Sequence, residues 1–154
     1  MQIKVKDFIG KIENEDYRRE TILADGIDSA LDGAGDAAAK LADRTVSALE
    51  AGELAEVRLV AGDGEDQVSV GLETGIINLP FENIRKVDNF FDDTEAEVPV
   101  IVYFVARGRG LNESDFRIMR IAPAVDFVSG QGRDAVSAAL ADALNQIREN
   151  RKEG

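Results

Sequence analysis

The chain has 154 residues, 44% of them hydrophobic, and its 30 Asp and Glu against 18 Lys and Arg give a net charge of −12. A chain of that length reads as one domain, residues 1–154, burying roughly 70% of the surface its unfolded form exposes. With no Cys and no His, disulfides, thiolate chemistry, serine–histidine and cysteine–histidine catalysis and histidine-based zinc sites are all excluded.

Aromatic residues are scarce and Trp is absent, so the core must be built mainly from Val, Ile, Leu and Ala. No apolar run approaches the ~20 residues of a membrane span. The opening "MQIKVKDFIGKIENEDYRRE" lacks the long apolar segment of a secretory signal. A soluble chain without export is therefore expected. A net charge of −12 exceeds the ~2–8 units that keep a small domain in solution. Such self-repulsion favours a salty medium, where the screening length falls to about 3 Å at 1 M. Lysine supplies only 6 of the 18 basic residues, and the acidic, Lys-poor, Ala/Val/Gly-rich composition fits a salt-adapted organism. Any catalysis would rest on carboxylates, Lys, Arg, Tyr, Ser or Thr. A set such as Tyr17, Glu20 and Asp25 is one that any acidic sequence offers, so no enzyme and no cofactor are expected.

In "QIKVKDFIGKI" Ile3, Val5 and Phe8 stand against Gln2, Lys4 and Lys6, a period near two that predicts a short N-terminal strand. Asn14 or Asp16 would then cap a long helix from about Tyr17 to Glu50. Its stripe is Leu23, Ile27, Leu31, Ala34, Ala38, Leu41 and Leu49, with Val46 alongside, and Gly52 stops it. Gly33 and Gly35 each cost roughly 1 kcal/mol inside a helix; they mark a kink, a close contact or a break into two helices. Asp25, Asp28, Asp32 and Asp36 fall at spacings of three and four on the outer face. That face could bind metal or line a lumen, but a solvated face of an acidic protein is the simpler expectation. "GAGDAAAK" lacks the glycine-lysine pair of a phosphate loop.

The middle is β-rich. "EVRLVAG" and "QVSVGL" predict strands joined by the turn "AGDGED". Asp63, Glu65 and Asp66 in that turn lack the later bidentate Glu of a calcium loop, so no metal is expected. A Thr74-Gly75 turn, a short strand Ile76–Leu79, Pro80 and the charged loop "DDTEAE" follow. Val98, Val100, Val102 and Phe104 then alternate with Ile101, Tyr103 and Val105, predicting a strand covered on both faces. "FRIMRI" behaves alike, and "RGRGLNESD" between the two makes a long antiparallel hairpin. Gly108 and Gly110 supply the positive φ of its tip. Arg107 and Arg109 could grip phosphate, but Glu113 and Asp115 stand beside them and the whole chain repels a polyanion. Specific nucleic-acid binding is not expected. The arginines fit better against carboxylates of a neighbouring subunit, which makes Arg107, Gly108, Arg109 and Gly110, with Tyr103, Phe104 and Phe116, the candidate subunit contacts. Val136, Leu140, Ala143, Leu144 and Ile147 form the stripe of a last helix over about Arg133–Glu149. The fold class is α+β: an antiparallel sheet of about four to five strands, packed by a long N-terminal helix and a C-terminal helix.

"MQIKVKDFIGKI", the helix through "AAAKLADRTVSALEAG" and the close "APAVDFVSGQGRDAVSAALADALNQI" resemble the two ends of tail-completion (head–tail joining, neck) proteins of tailed phages and tailed archaeal viruses. The likeness covers about half the chain; "LPFENIRKV" in the middle departs from that pattern. It implies a structural virion protein of the neck or tail that forms a homo-oligomeric ring, often a hexamer, between portal–connector and tail-tube proteins. An acidic lumen would then let DNA pass without sticking. The alternative is a partner- or ligand-binding α+β module from the cytoplasm of a salt-adapted cell.

Overall fold

The chain opens with a three-residue strand, β1 (Gln2–Lys4), and turns at once into a helix, α1 (Val5–Glu13). The period-two reading therefore holds only as far as Lys4. Val5, Phe8, Ile9 and Ile12 also follow a helical spacing, and that pattern wins because it lays Val5 and Phe8 fully into the core. The structure, a computed structural model, describes residues 2–62, 64, 67–76, 95–111, 116–130 and 132–153.

Asn14 closes α1 instead of capping a following helix, and Asp16 caps none. The Asp16 N–H donates to the Lys11 carbonyl at 2.7 Å and the Glu15 N–H to the Ile12 carbonyl at 3.1 Å, the paired bonds of a Schellman end. Glu15 takes the left-handed position that glycine fills at no steric cost, with φ 54°. Glu15→Gly is expected to raise stability by about 0.5–1 kcal/mol, read as a higher urea midpoint at unchanged slope. Close by, Glu95 accepts Lys6 at 2.6 Å and Lys4 at 3.6 Å. The Lys6 hydrogen bond holds the Glu95 carboxyl below its ordinary pKa and the Lys6 amine above its own.

The expected long helix is corrected next. Its first third is a strand, β2 (Arg18–Ala24), and the rest is two helices, α2 (Ile27–Asp32) and α3 (Ala34–Glu50), broken at Gly33. Leu23 thus leaves the helical stripe and stands 81% exposed. Asp25 precedes α2, Asp28 and Asp32 lie on it and Asp36 lies on α3; all four are exposed, but they share no single helix face. Gly52, at φ 77°, ends α3 as expected.

Strands β3 (Ala55–Ala61), β4 (Val68–Ile76), β5 (Glu97–Gly108) and β6 (Phe116–Pro123) follow, then a short helix α4 (Ala124–Val128) and the last helix α5 (Arg133–Glu153). The sheet order is β1-β5-β4-β3-β2, with β6 also paired to β5. All pairs are antiparallel except β2 with β3, which run parallel from Arg18↔Ala55 to Ala24↔Ala61. The sheet is thus mixed and six-stranded, not purely antiparallel. A parallel neighbour needs a long crossover, and α2 with α3 provide it. Strand β4 runs straight through Thr74 and Gly75 where a turn was expected. Thr74 is fully buried, its Oγ1 accepting the Ala55 N–H at 2.9 Å, so a polar residue that looks like a turn former serves as a clasp between strands. Asp63, Glu65, Asp66, the strand expected at Ile76–Leu79 beyond its first residue, Pro80, "LPFENIRKV" and Asp92–Thr94 lie outside the described residues.

Helices cover one face of the sheet. Leu41 and Leu49 of α3 and the stripe Val136, Leu140, Ala143, Leu144 and Ile147 of α5 meet Val57, Leu59, Leu72, Val102 and Phe104 in the main core. Each such side chain contributes about 1.5–3 kcal/mol on burial. On the opposite face Ile101, Tyr103, Val105 and Ile118 make a smaller cluster. Strand β5 is therefore apolar on both sides because it sits inside the sheet with a cluster on each face. No described helix is long and apolar enough to cross a membrane.

Candidate subunit interface

The β5–β6 hairpin has its expected form, with Arg107↔Phe116 as the outermost described pair. Its tip is folded back on its own chain. Gly108 has φ 140°, and a Cβ there would lie 3.0 Å from the Gln67 carbonyl and from the Val68 Cα. Gly110 has φ 105°, and a Cβ there would lie 3.2 Å from the Ile147 carbonyl oxygen. The Gly110 carbonyl accepts the Asn150 side-chain amide at 2.5 Å, which ties the tip to α5. Positive φ and close approach together make glycine necessary at both positions.

The seven candidate contact residues do not act as one patch. Arg109 is exposed at the tip, whereas Arg107 is half-buried and donates to Glu73 of its own chain at 3.2 Å. Tyr103 is buried with its hydroxyl donating to the Ile76 carbonyl at 2.8 Å. Phe104, fully enclosed, belongs to the helix-facing core, so its side chain has no surface to offer a neighbour. The Phe116 side chain lies outside the described ones.

Between Arg107 and the β2 edge runs a charged row that strand periodicity alone did not reveal. Glu56 and Glu73 are 8% and 6% exposed and stand directly opposite one another on β3 and β4. Like charges in that position repel unless compensated. Arg58 pairs with Glu56, Arg19 approaches Glu56 at 3.9 Å, and Arg107 holds Glu73. Arg19 also stacks over the Tyr17 ring at 4.8 Å; the hydrogen bond to the Tyr17 hydroxyl is the main cause holding its guanidinium above the ordinary pKa. Ser69, Gly71 and Val105, with Glu56, Arg58, Glu73 and Arg107, line a shallow cleft of about 10 Å3, room for about one water. The row carries nearly balanced charge, which suits it to join strands. Among the described residues no cluster of three or more acidic side chains could hold a metal ion.

Beyond the row the sheet ends at β2. The Arg18 N–H donates to the Leu54 carbonyl at 2.9 Å, so Arg18, Glu20, Ile22 and Ala24 direct their backbone groups to β3. Successive residues of a strand point these groups to opposite edges. Arg19, Thr21 and Leu23 therefore present N–H and C=O outward, and their side chains are exposed as well. Among the described residues nothing pairs with this edge. The other edge, β6, has a register shift opposite Val102 and Tyr103 and ends in Pro123, two features that blunt a strand edge. Sequence reasoning missed β2 as an edge because only its pairing with β3 makes it a strand. No known protein family, curated protein or solved structure matches this chain.

Proposed function

We propose that the protein is a structural assembly subunit of the head–tail connector or tail-completion type, working by contact with copies of itself and with portal–connector and tail-tube proteins, and not by catalysis. The observation that carries this reading is the β2 edge, which nothing among the described residues pairs: three residues with outward backbone groups and a Leu23 that is 81% exposed. A strand edge with outward backbone groups is a template for pairing with another chain. The exposed Arg109 tip supplies a second, charged contact of opposite sign to the acidic surface of a neighbour. Exposed Asp28, Asp32 and Asp36 suit the wall of a ring through which DNA slides.

Electron microscopy of the purified protein at molar and low salt tests the reading. Rings of uniform diameter are expected at molar salt, thinning out at low salt as repulsion between chains of charge −12 grows. Arg109→Ser should reduce the ring population, and an absence of rings at every salt concentration would overturn the proposal.

A further inference from the structure

We infer that the β2 edge pairs with the β2 edge of a second copy, antiparallel across a two-fold axis at Thr21, so that two sheets become one. The inference rests on the assembly reading in that copies must meet; it adds which edge meets, in what register and under what symmetry. The outward groups belong to Arg19, Thr21 and Leu23. An antiparallel partner must therefore set odd-numbered residues against odd-numbered ones. Centred on Thr21, the ladder opposes Thr21 to Thr21, Arg19 to Leu23 of the second copy, Glu20 to Ile22 and Arg18 to Ala24. Every residue of β2 is then used, all outward N–H and C=O groups are bonded, and no like charges stand directly opposite. The next register on one side sets Glu20 against Glu20 and shortens the ladder; the next on the other side shortens it too.

Two further observations favour a second β2 as the occupant, and the like charge of the two copies makes the contact salt-dependent. Arg18 is drawn back to Glu53 at 2.8 Å and Arg19 to Tyr17 and Glu56, so neither long side chain crosses the edge. The β6 edge is spoiled for such pairing by its register shift and Pro123. Self-pairing also joins two chains of charge −12, so the contact should strengthen with salt. A two-fold contact within a ring makes the repeating unit a dimer.

Two variants test the pairing. The Thr21 N–H faces away from β3, so Thr21→Pro removes an outward donor without breaking the β2–β3 ladder. At molar salt it should weaken the dimer contact by about a hundredfold or more, with the circular dichroism spectrum unchanged. The chain contains no Cys, so Thr21→Cys reports geometry cleanly. Opposed residues in a hydrogen-bonded antiparallel pair stand about 5.5 Å apart between Cα atoms, within disulfide range. Mild oxidation should give a covalent dimer from Thr21→Cys and little from Asp36→Cys, an exposed helix control. If Thr21→Pro proves misfolded, the cysteine pair alone decides. A multimer indifferent to Thr21→Pro, or a Thr21→Cys yield no higher than that of the control, overturns the β2 pairing and leaves the assembly reading standing. A wild type that is monomeric at every concentration overturns both.

Discussion

Phe104→Ala is expected to cost about 3–5 kcal/mol of stability and to leave association between copies untouched. Phe104 is fully buried on the helix-facing side of β5, opposite Leu72 on β4 and Met119 on β6. Truncation there removes a large apolar side chain and leaves a cavity that neighbours held in two ladders cannot close. For a domain whose whole stability is about 5–15 kcal/mol, roughly a fifth or more is at stake. The melting temperature should fall by roughly 10 °C or more.

Gly71→Ala is expected to be nearly as damaging, by about 3 kcal/mol, although it adds a single methyl group. Gly71 faces Arg58 across the β3–β4 ladder. A Cβ at Gly71 would lie 2.6 Å from the Arg58 Cα and 2.9 Å from its Cβ, and closer still to the Val57 carbonyl oxygen. These are backbone or near-backbone atoms held by strand pairing on both sides, so relief requires the strands to part. The close approach is how the sheet curls at this point, and glycine kinks of this kind are a general device for sheet curvature. The same movement would separate Glu56 and Glu73 from their arginines. Gly35→Ala is the control: a Cβ there meets nothing within 4 Å, and in α3 it should gain about 0.5–1 kcal/mol. Urea unfolding of the two variants beside the wild type checks both signs.

The parts of the fold that were legible in the sequence are those where one periodicity had no rival. Val136, Leu140, Ala143, Leu144 and Ile147 fit only a helix, and all five are fully buried on α5. Val98–Ala106 alternates without interruption, and β5 spans it. The failures lie where two periods overlap. Leu23, Ile27 and Leu31 step by four as in a helix, yet Thr21–Leu23 also suits a strand, and only pairing with β3 decided the matter. Val5 and Phe8 were caught in the opposite ambiguity. The mixed direction of the sheet followed from that one misplaced strand, since among the described strands β2 with β3 is the one parallel pair. The charged row was not legible at all, because the opposition of Glu56 to Glu73 is a fact of register between strands. Among the candidate contacts, the buried Phe104 could not be told from a surface aromatic until its face was known.

Whether this chain works by joining copies of itself is read from its absolute mass in solution. Light scattering after gel filtration of the wild type at molar salt should give a discrete multimer with an even number of chains, shrinking as salt is withdrawn. A folded monomer at molar salt and at every protein concentration would contradict the account.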